Sequence, residues 1–187
     1  MNSLPTLAGG RIRLRPWREA DRDAFAVMNA DVRVMEFFRG TLSRGESDAM
    51  VGQIEKHFVE HNFGLWAIEV PGVAPFIGFA GLEVPQFTAH STPCVEIGWR
   101  LAFEYWGRGY ATEAAQLALA HGFRTLSLPE IVSFTTVSNR RSRAVMERLG
   151  MHRDAGDNFD YPRLPEGHPL RPHVLYRIDS GSYFGRR

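Results

Sequence analysis

Cysteine is almost absent from this chain of 187 residues, with Cys94 standing alone. A single thiol excludes an internal disulfide framework and suits a reducing compartment. It opens an apolar stretch, which reads as a buried thiol rather than a nucleophile. An excess of one charge is missing too. The 22 basic residues against 21 acidic leave a net charge of +1, a mixed solvated surface with no electrostatic footprint for nucleic acid. No apolar run is long enough to span a bilayer, and Met1–Gly10 lacks the charged-then-apolar plan of a secretory leader. The expectation is a cytoplasmic protein with no membrane partner. Histidine, cysteine and carboxylates do not gather at metal-ligand spacing, so no metal is expected. Repeats and low-complexity tracts are also missing. The length suits one domain, expected over residues 1–187 with a core of about 11–178 and short flexible termini.

What is present is a regular alternation of strand and helix patterns. Arg11-Ile12-Arg13-Leu14-Arg15 alternates strictly and Pro16 ends it, a half-buried strand. From Glu19 to Phe38 apolar residues recur at helical intervals. Ser43 with Glu46 forms a capping box for a second helix carrying Met50, Ile54 and Phe58 on one face, with Gly64 as its expected stop. Leu65–Val70 and Phe76–Val84 read as strands joined by the Pro71-Gly72 turn. Pro85–Pro93 is a loop, and Val95–Leu101 an apolar strand. Ile131–Val137 is β-branched and extended. Asn139–Leu149 is a helix stopped by Gly150. Asp154–Pro172 reads as a polar loop, and His173–Ile178 as a last strand. The order β-αα-ββ-β-α-β-α-β predicts a mixed sheet with helices packed on it, an α/β domain.

The most informative stretch is Trp106-Gly107-Arg108-Gly109-Tyr110-Ala111-Thr112-Glu113-Ala114. It lies between the strand ending at Leu101 and a helix marked by Ala111, Ala114, Ala115, Ala118, Leu119, Gly122 and Phe123. Two glycines at a strand-to-helix turn aim backbone N–H groups and the positive end of the helix dipole at one spot, which is an anion site. A side chain on either glycine would hold a diphosphate away from the backbone. The spacing is not that of a P-loop, since no Gly-Lys-Ser/Thr follows. Nor does it carry the three glycines of a Rossmann fingerprint. Taken alone, the loop fits a phosphate site and a ligand-free glycine turn about equally.

Glu96-Ile97-Gly98-Trp99 followed by Glu104-Tyr105-Trp106-Gly107-Arg108-Gly109-Tyr110-Ala111-Thr112-Glu113-Ala114 resembles the acetyl-CoA loop of the GNAT N-acetyltransferases. The wording is similar to the branch that includes the RimJ and RimL ribosomal-protein acetylases. In the superfamily pattern of Gln or Arg, two residues, Gly, one residue, Gly or Ala, Trp106 takes the first place and Gly109 and Ala111 the others. The resemblance runs from about Arg11 to about Ile178. It implies a fold in which the central strand and the strand after the loop helix splay apart to hold the acyl-CoA. It also implies acetyl-CoA as co-substrate, with its pyrophosphate on the backbone of Trp106, Gly107, Arg108, Gly109, Tyr110, Ala111 and Thr112. The backbone of Trp99, Arg100 and Leu101 would then pair with the pantetheine arm, and Asn139 would bond its amide. The side chain of Arg108 fits added charge at the phosphates and a solvated surface residue equally.

Acetyl transfer to an amine needs a proton taken from the amine and a proton given to the leaving thiolate. Many superfamily members carry a Tyr seven residues after the Asn for the second task. Here that place holds Met146, which cannot donate. Ser142 lies one helical turn from Asn139 and is the candidate donor, as the RimJ/RimL-like branch implies. Glu96, on the strand before the loop, is the candidate base, and Glu83 the second choice. A salt bridge to Arg100 or Arg13 is the structural alternative for both carboxylates. His168 and His173 read as structural more readily than as proton shuttles. Trp17, Trp66, Phe37 and Phe38 read as core or cleft wall.

The expected function is acetyl transfer from acetyl-CoA to a primary amine on a peptide or small molecule, by a monomer or homodimer. A non-catalytic acyl-CoA sensor of the same fold, or a transferase using another acyl donor such as succinyl-CoA, are the alternatives. The acceptor itself, whether protein N-terminus, amino acid, polyamine or antibiotic, does not follow from the fold.

Overall fold

The computed structural model describes residues 4–185. Met1–Ser3 and the last two arginines, which belong to the expected 1–187 span and its termini, lie outside the described residues. The chain forms two compact units. The first contains the chain up to Glu83 together with Gly98–Ala118. The second contains Val84–Ile97 and everything from Leu119 onward.

In the first unit, β1 (Leu7–Ala8), β2 (Arg13–Arg15), β3 (Leu65–Val70) and β4 (Ala74–Glu83) pair antiparallel in that order, with Leu14 opposite Ile68 and Trp66 opposite Ala80. Helices α1 (Asp21–Ala30) and α2 (Arg44–His61) pack together, and Phe25, Met28, Val51, Ile54 and Phe58 bury their side chains. Trp17 sits among Phe25, Phe76 and Phe79, its ring centroid 4.9 Å from that of Phe25. Trp66 is fully buried and belongs to the core, whereas Trp17 is half-buried and walls it.

Several expectations are corrected here. The helix expected from Glu19 to Phe38 ends at Ala30. Asp31 is extended, and its carboxylate accepts the N–H of Arg33, a side chain-to-backbone turn that competes with the helix. Val34 and Met35 are buried without being helical, which is why the apolar spacing misleads beyond residue 30. The capping box at Ser43 and Glu46 forms as expected. The second helix, however, is closed by Asn62 in the left-handed region (φ 61°) and not by Gly64. Gly64 is required for another reason, because a Cβ there would come within 2.9 Å of the Phe58 ring. The alternation at Arg11–Arg15 places Arg15 on the solvent side with Arg11 and Arg13. Instead its guanidinium is buried, donating twice to Asp21 at 2.7 Å and to Glu69 at 2.9 Å. Paired anions make that burial tolerable.

The second unit is built on β6 (Glu130–Thr136) and β9 (Pro172–Asp179), antiparallel along their whole length from Glu130–Asp179 to Thr136–His173. Two short strands that no pattern in the sequence marks, β7 (His152–Arg153) just before the expected polar loop and β8 (Phe159–Asp160) within it, also pair with β9. Helix α4 (Arg140–Arg148) buries Val145 and Met146. A short α5 (Ser180–Phe184), capped by Asp179, was not anticipated. Neither was β1. Leu119, Phe123, Ile131, Val132, Val174, Leu175 and Ile178 make the core.

Two elements run from one unit into the other along the chain: β5 (Glu96–Leu101) and α3 (Tyr110–Arg124). β5 lies next to β4 in the sheet. Its first residue pairs with β6, parallel, Glu96 opposite Val132. That is the whole β5–β6 register among the described residues. The next link is the Ser133 hydroxyl donating to the Ile97 carbonyl at 2.9 Å. The mixed α/β architecture agrees with the sequence pattern.

Candidate active site

In the first unit the site begins where β5 ends. Gly78 on β4 has φ +144°, and a Cβ there would strike the Arg100 carbonyl and the Leu101 Cα. Only glycine lets β4 approach the end of β5 so closely. The Ala102 N–H then donates to the Ile77 carbonyl, which fixes the strand's exit. The Trp106 indole N–H donates back to the Leu101 carbonyl at 2.8 Å, so Trp106 ties the start of the loop to the strand.

Gly107 and Gly109 have φ of +72° and +82°, the left-handed region that glycine enters without steric cost. A Cβ on Gly107 would meet nothing within 4 Å, so the loop backbone presents an open side. Helix α3 starts at Tyr110, and Glu113 is the residue whose N–H closes onto the Gly109 carbonyl. The amides of Tyr110, Ala111 and Thr112 precede that bond, as the orphan donors of any helix start do. A helix start with such orphan donors is the end of a helix that suits an anion. The side chains of Tyr110 and Leu101 are buried, so only their backbones are available to a ligand. Arg108 is exposed, its guanidinium 5.9 Å from the Tyr105 ring centroid.

Two residues given no role by the sequence reading brace this loop. The Arg11 backbone N–H and Nε both donate to the Glu113 carboxylate, and its Nη1 donates to the Arg108 carbonyl at 3.0 Å. Glu113 lies in the first turn of a helix, where a carboxylate suits the dipole, so part of the signal was visible. Arg11 stands far away in sequence, and nothing local marks it.

Arg100, also in this unit, is set by α1 and the segment after it. Its Nη1 donates to Asn29 Oδ1 at 2.7 Å, and its guanidinium lies 4.1 Å from the Phe38 ring centroid and 5.3 Å from that of Phe79. Phe38, expected as core or wall, is a partly exposed wall. Phe37 is half-buried. Burial pushes the Arg100 pKa down to about 10, with Glu83 at the end of β4 opposing the shift. Arg100 is therefore cationic at neutral pH.

In the second unit, Asn139 caps α4. Its Oδ1 accepts the Ser142 N–H at 3.2 Å, and its amide donates to Thr135 Oγ1 at 3.0 Å and to Ser142 Oγ at 3.2 Å. The Ser142 hydroxyl thus accepts from Asn139 and keeps its own proton for another acceptor. Met146 is buried in the core, consistent with its having no chemical part. Glu96 is half-buried at the start of β5. Cys94 is half-buried, and burial, reinforced by Glu96, pushes its thiol pKa up to about 11. It is a protonated thiol and a poor nucleophile at neutral pH.

His168, in the loop, and His173, on β9, both have structural contacts. His168 Nδ1 accepts the Leu170 N–H at 3.1 Å. His173 stacks on Tyr161 with centroids 4.9 Å apart, beside Phe159 and Phe134, with Nδ1 against the Arg171 carbonyl. Burial pushes its pKa below the ordinary histidine value.

The acetyltransferase (GNAT) domain family matches residues 11–152. An uncharacterized N-acetyltransferase of Bacillus subtilis, YnaD, is 35% identical over 169 residues, covering 90% of this chain and 93% of its own. The FsC-acetyl coenzyme A-N(2)-transacetylase of Aspergillus fumigatus is 30% identical over 163 residues, covering 81% of this chain and 66% of its own. An acetyltransferase crystal structure from Agrobacterium tumefaciens superposes with a TM-score of 0.75 at 30% identity, covering 95% of this chain and 96% of that one. The chain belongs to the GNAT acetyltransferase family. It is an N-acetyltransferase of the same mixed α/β fold. Among the described residues, no helix is long and apolar enough to cross a membrane.

Proposed function

We propose that this chain moves an acetyl group from acetyl-CoA to a primary amine by direct attack on the thioester, as a single cytoplasmic domain of the RimJ/RimL-like kind. The observation that carries the reading is the pair Gly107 and Gly109, both at positive φ, opening α3, with open space beside Gly107. A diphosphate suits that arrangement of N–H groups. A relative's name supports the donor, since the Aspergillus protein is called an acetyl coenzyme A transacetylase.

In this reading the backbone of Trp99, Arg100 and Leu101 pairs with the pantetheine arm, and Asn139 adds a bond to its amide. The amine nitrogen attacks the thioester carbon as Glu96 takes its proton, directly or through water. The carbonyl oxygen regains its double bond as the C–S bond breaks. Ser142 then gives its hydroxyl proton to the leaving thiolate, which departs as a free thiol; water returns a proton to the serine oxygen, and Glu96 gives up the amine proton to water. The available proton on Ser142 and the half-burial of Glu96 support these roles.

The test has two readings. Gly109→Val should weaken CoA binding at least tenfold by calorimetry, because a β-branched residue resists φ +82° and would crowd Arg11 Nη2, 3.3 Å from that Cβ. Unchanged affinity in a folded variant refutes the loop assignment. Release of thiol from acetyl-CoA, across a panel of amines and N-terminal peptides, reads the transfer. CoA binding with no release from any amine favours the sensor.

A further inference from the structure

A buried cation is normally paired with an anion or richly hydrogen-bonded. Arg15 obeys that rule through Asp21 and Glu69. Arg100 does not. It makes one hydrogen bond to Asn29 Oδ1, a 4.0 Å contact to the Met50 sulfur, and two ring contacts. Its Nε is buried and has no acceptor among the described residues. No carboxylate stands within ion-pair distance of it among them, and Glu83 acts only through its field. Asn29 is itself fully buried and fixed by its amide donating to Ser47 Oγ at 3.1 Å, so the guanidinium is held in one orientation.

Space stands beside this group. Gly98 precedes Arg100 by two residues on β5, and strand alternation puts the two on the same face. A Cβ on Gly98 would meet nothing within 4 Å. The strand therefore offers a gap on the face of Arg100, whose Nε and Nη2 both lack an acceptor among the described residues, Nη2 being the one not sealed from solvent.

We propose that Arg100, held by Asn29 and Phe38 beside the gap at Gly98, is an anion seat that recognises a carboxylate on the amine acceptor. This rests on the transferase reading and names the acceptor class within it: an amine that carries a carboxylate. The carboxylate of a free amino acid and an acidic side chain early in a polypeptide supply the same group. An arginine fork suits either, because its planar donors match two carboxylate oxygens. The Phe38 ring keeps the guanidinium flat and in place without neutralising it.

The first arm needs no turnover. In the 15N-labelled full chain, the Arg100 Nε–H resonance is assigned by its loss in Arg100→Lys. It should move on titration with glutarate and stay still with glutaramide. An unmoved signal at saturating glutarate overturns the seat. The second arm compares kcat/KM for matched acceptors: amino acids against their amides, and dipeptides with Glu against Gln at the second position. One acid should beat its amide at least tenfold, which identifies the source, and the ratio should fall to near one in Arg100→Gln. Equal rates for both pairs in the active wild type also overturn it. A moving resonance with no transfer to any amine keeps the seat and refutes the transferase reading instead.

Discussion

Arg11 and Glu113, separated by 102 residues, meet through two hydrogen bonds: the Arg11 N–H to Oε1 at 2.7 Å and its Nε to Oε2 at 2.8 Å. The same guanidinium donates to the Arg108 carbonyl and lies 5.0 Å from the Tyr110 ring centroid. The start of the chain thus holds both the glycine loop and the first turn of α3. An ion pair with one side chain as exposed as this one adds little to stability. Its value lies in orienting the loop amides, as preorganisation does in any anion site.

Glu113→Gln and Arg11→Ala should therefore each weaken CoA binding by about three- to tenfold, less than 1.4 kcal/mol, while thermal stability changes little. The double variant should lose scarcely more than either single one, because the residues act through one contact. Calorimetry on the four proteins decides. Additive losses, or an unchanged affinity, would show that the loop holds its shape without them.

Proton delivery to the thiolate is assigned to Ser142, whose hydroxyl accepts from Asn139 and keeps a proton to donate. Ser142→Ala should lower kcat by roughly ten- to a thousandfold, around the range for a lost acid. CoA affinity should be nearly unchanged, since Asn139 keeps its bonds to Thr135 and to the backbone N–H of residue 142. Wild-type turnover in this variant returns Ser142 to a helix-capping role.

The glycine loop, the capping box at Ser43, β3 and the cap at Asn139 were legible because each rests on local chemistry: positive φ, an orphan N–H, or a short apolar run closed by a Pro-Gly turn. The failures share the opposite cause. Arg15 was misplaced because its partners Asp21 and Glu69 come from other elements, and alternation alone cannot show that a buried arginine is paired. Arg11 escaped notice because its function depends on a contact 102 residues away. The two-residue strands β7 and β8 lie in polar sequence and exist only because β9 offers them an edge. For the site, the residue types were visible, but the unclaimed Nε of Arg100 and the proton geometry of Ser142 needed side-chain positions.

His173 gives a pH signature. Burial among Tyr161, Phe159 and Phe134 lowers its pKa below the ordinary 6.5, with Asp160 and the Arg171 carbonyl only partly opposing. The folded chain then prefers the neutral ring. Its stabilising contribution is complete above pH 6.5 and is lost as pH falls below 6.5 through the lowered folded value. His57 and His121 are shifted the same way by burial and add to the slope. The urea midpoint should drop between pH 7.5 and 5.5, and the drop should shrink in His173→Phe, which keeps the stack and removes the titration. An equal drop in that variant would place the acid sensitivity elsewhere.

The proton leaving the amine sets the last prediction. Glu96 is half-buried at the head of β5, and Glu83 ends β4, where its field acts on Arg100. In the proposed mechanism Glu96 is the base, and Glu83, whose field acts on Arg100, is the second choice. Glu96→Gln keeps the shape and removes the charge. It should slow transfer at neutral pH and recover in part at high pH, where more free amine is present, so the acidic limb of kcat/KM moves. Glu83→Gln should leave that limb in place and alter instead the preference for acidic acceptors, because it removes a neighbour of Arg100. A fully active Glu96→Gln with a slowed Glu83→Gln would exchange the two roles. If neither variant shifts the limb, deprotonation runs through water and backbone carbonyls.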